Sequence, residues 1–96
     1  MSSRPLIEVV SLVPASTHDS RRGLLGYAAI RVAELLIVDP VAVRRTLEDR
    51  LALSYPTRAD RRGVRHPIVR PVGNEAGALI EEAVLPSVRF DQGSGR

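Results

Sequence analysis

Apolar residues alternate with polar ones, or run in short blocks, along the first three-quarters of the chain, and both patterns are typical of β-strands. The stretches between the blocks are rich in Gly, Ser, Asp and Arg, which is typical of turns and loops. The pattern predicts five strands: Leu6–Val13, Leu24–Val32, Leu35–Val43, Leu51–Tyr55 and Val64–Val72.

Prolines and small residues refine this prediction. Pro40 lies inside the third strand and cannot donate to a ladder, so it predicts a bulge or an edge position. Pro67 and Pro71 keep the last extended segment out of a helix. Gly26 and Ala28 share one face of the second strand. Small side chains there indicate that another element packs closely against that face.

The last periodic segment changes to helical spacing. Asn74 is a good helix N-cap, and Glu75 suits the positive end of the helix dipole. A core-facing stripe follows at Ala76, Leu79, Ile80, Ala83 and Val84, and Pro86 ends the segment. We therefore expect an α+β fold, in which a C-terminal helix packs on one face of an antiparallel sheet of about five strands. Residues 6–86 are expected to form a single domain, with residues 1–5 and 87–96 as flexible tails.

Four segments of the chain resemble the SpoVG family, whose name-giver is stage V sporulation protein G, a bacterial septation regulator. They read GYAAIRV, LLIVDPVAV, LALSYPTRADRRG and RPVGNEAGALIEEAVL. The family typically reads AYASI, FVVHDIRV, LFVAMPSRKTPDG and HPINSEAREKIQEAVL. The resemblance covers roughly two-thirds of the chain and needs no gap from Pro56 to Leu85.

Two polar positions depart from the family pattern. Arg70 falls on the histidine of the family's HPI motif, and Asp39-Pro40 falls on its His-Asp pair. The chain thus resembles a divergent member of the family.

The resemblance implies a homodimer joined through strands. It further implies a cytoplasmic regulator that binds DNA, RNA or both, mainly through backbone contacts, and is linked to septation, cell division or developmental gene expression. The alternative is a dimeric protein-interaction module of the same fold that has lost nucleic-acid binding.

Composition limits the other possibilities. The 96 residues are 44% hydrophobic but only 3% aromatic. The core must therefore be built from Val, Leu, Ile and Ala, and a small domain of this kind gains from oligomer formation. The absence of Cys excludes disulfides and zinc–thiolate sites. No apolar run reaches the length of a membrane span, and MSSRP lacks the apolar region of a signal peptide, so a cytoplasmic location is expected.

All fourteen basic residues are arginines, and the net charge is +3. Guanidinium groups pair bidentately with phosphate, although codon bias in a GC-rich genome is the better explanation of the missing Lys. Arg58, Arg61, Arg62 and Arg65 occupy the place of the family's basic loop and predict a nucleic-acid backbone contact. Arg21-Arg22 and Arg44-Arg45 are weaker candidates, which matter only if the fold brings them onto the same face. The alternative is that this charged segment is a solvated hairpin loop.

The predicted helix argues against a phosphate contact of its own. Its charged residues are Glu75, Glu81 and Glu82, and it carries no arginine. Negative charge repels phosphate. We therefore expect the helix only to cap the sheet.

Other chemistry receives little support from the sequence. His18 and His66 lack a third ligand at metal spacing, so no metal site is expected. Tyr27 and Tyr55 could stack on bases, but they more simply pack at a sheet surface or a subunit contact. No nucleophile elbow, phosphate-binding glycine loop or carboxylate pair is present. We expect no enzymatic activity, no cofactor and no small-molecule substrate.

Overall fold

The computed structural model describes residues 5–88, which form two antiparallel sheets and two helices. The larger sheet has the order β1-β2-β3-β4 and comprises β1 (Ile7–Pro14), β2 (Leu24–Val32), β3 (Leu36–Arg45) and β4 (Leu51–Ser54). The smaller sheet is a hairpin of β5 (Thr57–Ala59) and β6 (Arg65–Pro67). The helices are α1 (Thr17–Arg21) and α2 (Asn74–Val84), and a 3₁₀ turn, Leu85–Ser87, follows α2. The predicted α+β fold class is confirmed; residues 1–4 and 89–96 of the two predicted tails lie outside the described residues.

The core lies between α2 and one face of the four-stranded sheet. Pairing in register places Ala28 beside Val41, and Gly26 beside Val43. Their face packs against α2 through Val84, which has no exposed surface. Among the strands, α2 comes closest to β1, so a close approach of the helix over the small residues of β2 stays a prediction.

A bulge interrupts the pairing of β2 with β3 at Pro40. Ala28 pairs with Val41 and Ile30 pairs with Val38, so two residues of β3 lie opposite a single residue of β2. The extra residue returns Val38 and Val41 to the same face of the sheet. The bulge predicted from Pro40 is thereby confirmed.

The fifth predicted strand is wrong in its length and in its partner. Of Val64–Val72, only Arg65–Pro67 is a strand, and it pairs with Thr57–Ala59 instead of joining the larger sheet. Two prolines within nine residues remove ladder donors, which limits the strand to three residues. The structure therefore has four strands in one sheet and two in another.

The short helix α1 lies where the sequence predicts a polar loop. Ser16 is its N-cap, and the side-chain Oγ accepts a hydrogen bond of 3.1 Å from the backbone N–H of Asp19. Ser followed three residues later by an acidic residue resembles the capping-box pattern, which was the available signal.

The orientation predicted for α2 is partly wrong. Val84 is buried and Ile80 is half-buried, but Leu79 is 65% exposed and Ala83 is exposed as well. Glu81 faces the sheet instead, where its Oε2 accepts a hydrogen bond of 3.4 Å from the N–H of Leu53.

The rotation of α2 about its own axis agrees with the contacts at its N-terminal end. Gly73, rather than the predicted Asn74, is the N-cap, and no side chain caps the helix. Gly77 lies against Pro71: a Cβ atom built on Gly77 would be 3.7 Å from the Cγ of the proline. The buried stripe consequently passes through residue 77 rather than through residue 79.

Replacing Val84 by Ala is expected to lower the free energy of unfolding by about 2 kcal/mol, because it removes buried methyl groups and leaves a cavity. Leu79→Ala is the matched control on the solvent side of α2, and its effect should stay within about 0.5 kcal/mol. Urea denaturation followed by circular dichroism measures both. Equal destabilisation in the two variants would contradict this orientation of α2.

Candidate nucleic-acid interface

The predicted arginine segment forms the β5–β6 hairpin and its turn. The backbone N–H of Gly63 donates to the carbonyl of Asp60 at 2.9 Å, and the N–H of Asp60 donates to the carbonyl of Val64 at 2.9 Å. Gly63 adopts φ +82°, in the left-handed region that favours glycine. These contacts close a tight turn with Arg61 and Arg62 at its tip.

The Asp60 carboxylate holds this turn together. Its Oδ1 accepts hydrogen bonds from the backbone N–H groups of Arg62 at 2.9 Å and Val64 at 3.0 Å. Its Oδ2 lies 2.8 Å from Nε2 of His66. The hydrogen bond with His66 and those from the backbone lower the pKa of Asp60. The carboxylate is therefore charged at neutral pH and fully engaged within the hairpin.

The four hairpin arginines are divided between two faces and a tip. Arg58 pairs across the ladder with His66, while Arg65 pairs with Ala59, so the two side chains point to opposite faces. The Nε of Arg65 donates to Oγ1 of Thr57 at 2.9 Å, which fixes the direction of its guanidinium group. All four arginines are exposed, and none has an ion pair with another residue in the range 5–88.

The second predicted arginine pair is separated by the strand that carries it. Arg44 lines a groove of about 910 Å³, and Arg65 lines the same groove from the hairpin side. Arg45 is the next residue of β3 and points the other way, where its Nη1 forms an ion pair with Asp49 at 2.9 Å. The structure therefore brings Arg44, but not Arg45, together with a hairpin arginine.

The hairpin concentrates the positive charge of the chain. Residues 57–67 contain four arginines and one aspartate, whereas the rest of the sequence contains ten arginines and ten acidic residues. The formal net charge of +3 thus equals that of this short segment. Its field acts from one projecting element rather than from the whole surface.

The roles of three residues in this site could not be predicted from the distribution of charge in the sequence. Asp60 and His66 shape the turn, and Thr57 orients Arg65. The Asp-x-x-Gly spacing from Asp60 to Gly63 is a known turn signature and was the available signal. Nothing in the sequence indicates the contact of Thr57, because it depends on the strand register.

The tyrosines and the acidic helix complete the surroundings. Tyr27 is 37% exposed and lines the same groove as Arg44. Tyr55 is half-buried beside the core. Glu75 and Glu82 are exposed on α2, whereas Glu81 contacts the sheet.

Comparison of the chain with protein-family models, with curated proteins and with solved structures gave no match. The resemblance to the SpoVG family therefore stays a prediction from the sequence. Over residues 5–88, no group of three or more His, Asp or Glu side chains is placed to hold a metal ion. None of the helices in that range has the length and apolar character that crossing a membrane requires.

Acid should loosen the hairpin turn through Asp60. A folded-state pKa below the usual 3.8 means that the carboxylate stabilises the turn at pH values above 3.8 and loses this effect as the pH falls through the lowered pKa. The amide proton shifts of Arg62 and Val64, followed by NMR, should titrate together with a midpoint below 3.8. Asp60→Asn is the control, since its amide does not titrate there, and its shifts should stay flat. A wild-type midpoint above 3.8 would contradict the hydrogen bonding of Asp60.

Proposed function

We propose that this protein is a cytoplasmic nucleic-acid-binding regulator that contacts the phosphate backbone through the β5–β6 hairpin. The proposed link to septation, cell division or developmental gene expression depends on the SpoVG resemblance of the sequence. The proposed mode of binding depends on the charge and geometry of the hairpin.

The observation that carries the proposal is the set of four exposed arginines without carboxylate partners on one short hairpin of the described chain. Guanidinium groups bind phosphate oxygens bidentately, and the free energy comes largely from counterion release. Asp60 does not cancel this effect by pairing with an arginine, because its oxygens are held by backbone N–H groups and His66. The hairpin therefore presents guanidinium groups that can reach an anion.

The groove beside the hairpin supports a contact larger than the turn. Arg44 and Arg65 line it together with the exposed ring of Tyr27. Asp39 and several apolar side chains line the groove as well, so only the part formed by Arg44, Arg65 and Tyr27 suits a phosphate backbone with an adjacent base. The contact would depend little on sequence, because phosphate groups carry no sequence information.

A homodimer is the second part of the proposal, and the outer edge of β3 supports it. In the described range, β4 pairs with only residues 42–45 of β3, which leaves that edge open before residue 42. Leu35, Leu36 and Ile37 are 83%, 61% and 52% exposed there. Residues 35–38 carry no charged side chain, and an apolar strand edge of this kind is a template for pairing with another strand.

The edge of β3 available for pairing is short. Asp39 and Pro40 follow at the bulge, and charged side chains, prolines and bulges all block edge-to-edge contact. The other outer strand, β1, carries a register shift in its middle, between Val9 and Ser11, and ends at Pro14. The dimer proposed here therefore forms through the start of β3, where the uninterrupted apolar edge lies. Leu36 and Ile37 also line the groove beside the hairpin, so a partner strand takes that part of the groove and leaves the arginine part to nucleic acid.

The second candidate function is a dimeric interaction module without nucleic-acid binding. The division of Arg58 and Arg65 between opposite hairpin faces favours it, because one phosphate strand cannot easily contact both. The exposed apolar edge of β3 serves this function as well.

A salt series distinguishes the two candidates. Replacing Arg61 and Arg62 with Ala should flatten the slope of log K against log salt by roughly one to two units, because each phosphate that is no longer neutralised changes the slope by about one. Fluorescence anisotropy with labelled DNA and RNA oligonucleotides measures the slope.

The matched control is Arg21→Ala with Arg22→Ala, which removes the same charge from an exposed pair outside the hairpin. Its slope should stay close to that of the wild type. Equal slopes in all three proteins would remove the hairpin from the mechanism. No wild-type binding to either nucleic acid at low salt would favour the interaction module.

The dimer has its own test. We expect the mass of a dimer by light scattering at micromolar concentration, and Ile37→Glu should shift it to a monomer because a charge would be buried at the paired edge. Leu47→Glu is the control, since Leu47 lies fully exposed in the turn after β3. A monomeric wild type, or an unaffected Ile37→Glu dimer, would count against pairing through β3.

A further inference from the structure

A small cavity of about 250 Å³ lies on the helix side of the sheet and adjoins the groove beside the arginine hairpin, with which it shares Leu36, Val38, Tyr55 and Val69. Ile30, Val32 and Val38 line it from the sheet, and Ala76 and Ile80 line it from α2. The chain before α2 closes a third side with Val69, Pro71 and Val72. Leu36 and Val72 are 61% and 98% exposed, so the cavity reaches the surface beside these two side chains.

Two polar side chains interrupt this apolar lining. The hydroxyl of Tyr55 has less than 1 Å² of exposed surface and no hydrogen-bond partner in residues 5–88, so a ligand reaches it only when the side chains that cover it move aside. Arg70 is exposed, lines the same cavity and has no ion-pair partner among the described residues. A buried donor without a partner is uncommon in folded proteins and calls for an explanation.

We propose that this cavity binds a small amphipathic carboxylate, with its apolar body among the aliphatic side chains and its carboxylate held by Arg70 and the Tyr55 hydroxyl. The inference goes beyond the proposed nucleic-acid contact and does not depend on it. No residue of the arginine hairpin lines the cavity.

The volume limits the ligand. A dry apolar cavity of about 150 Å³ holds benzene, whereas drug-sized ligands occupy pockets of about 300–1,000 Å³. The cavity here lies between these values. The apolar body is therefore a single ring or a short alkyl chain.

The two polar groups define the head of the ligand. Burial raises the pKa of Tyr55, and the charge of Glu81 raises it further, so the phenol keeps its proton at neutral pH and can donate a hydrogen bond. Arg70 supplies a fixed positive charge, and guanidinium matches the geometry of a carboxylate. Glu81 does not line the cavity, and its carboxylate accepts from the N–H of Leu53, but its charge still repels an anion placed at the phenol. Arg70 must therefore supply the attraction for the carboxylate. An apolar ligand without a hydrogen-bond acceptor would leave the phenol and the guanidinium group without hydrogen-bond partners in the ligand.

Octanoate is the probe, and 1-octanol is the comparison with the same alkyl body and no charge. Isothermal titration calorimetry of the full chain should give one octanoate per chain and weaker binding of octanol. Methyl shifts should move for Val38 and Ile80 and stay constant for Val13, which is 57% exposed and does not line the cavity.

Three variants test the assignment. Ala76→Leu fills the cavity with a residue of high helix propensity and should abolish saturable binding of both probes. Arg70→Gln should weaken octanoate about tenfold and leave octanol unchanged, since it removes only the charged partner. Tyr55→Phe should weaken octanoate without lowering the urea midpoint of the free protein, because it removes an unpaired buried hydroxyl.

The outcomes separate a site from general adsorption. No octanoate binding by the wild type, or shifts at Val13 as large as those at Ile80, would overturn the proposal. Binding unaffected by Ala76→Leu would place the ligand elsewhere. A Tyr55→Phe variant that unfolds more easily and binds octanoate normally would assign the hydroxyl a structural role instead. Circular dichroism checks that each variant is folded.

Discussion

Burial of aliphatic side chains, most of them on one face of the larger sheet, is the constraint that organises this chain. Val41, Val43 and Val84 are fully buried between β3 and α2. Only 3% of the residues are aromatic, and among the described residues Tyr55 is the only ring that packs against this core. Apolar area removed from water must stabilise the fold, at about 25 cal/mol per Å². The helix takes the orientation that puts Val84 into this buried cluster, and Leu79 is left in solvent.

The same narrow core explains why apolar side chains remain outside it. β4 is only four residues long, and the chain leaves the sheet after Ser54. The first half of β3 thus has no strand along its outer side, and Leu36 and Ile37 stay exposed at that edge. The segment before α2 covers the sheet only loosely, which leaves the cavity beside Tyr55 and Val72. The open strand edge results from the short β4, whereas the cavity results from the loose covering of the sheet by the segment before α2.

The sequence predicts what depends on local periodicity and fails where a distant contact decides. The first four strands, the bulge at Pro40 and the existence of α2 follow from alternation, proline chemistry and helical spacing. The partner of β6 could not be predicted, because three-residue strands carry too little pattern to specify a register. Leu79 and Glu81 exchange their expected environments for the same reason, since the contact of Glu81 with Leu53 is made across 28 residues. At the arginine site, composition predicts the charges, but the opposite directions of Arg58 and Arg65 follow only from the ladder.

Because the hairpin arginines lie outside the core, the arginines and the core residues can change independently during evolution. Asp60 holds the turn with hydrogen bonds made inside the hairpin, so the display of Arg61 and Arg62 does not depend on α2 or on the packing of the larger sheet. Mutations in the hairpin should then alter anion binding with little effect on global stability, because exposed substitutions rarely exceed about 0.5 kcal/mol. Core substitutions at Val84 should do the reverse. A hairpin of this kind can lose its arginines without loss of the fold, which is how a nucleic-acid-binding protein and an interaction module can share one architecture.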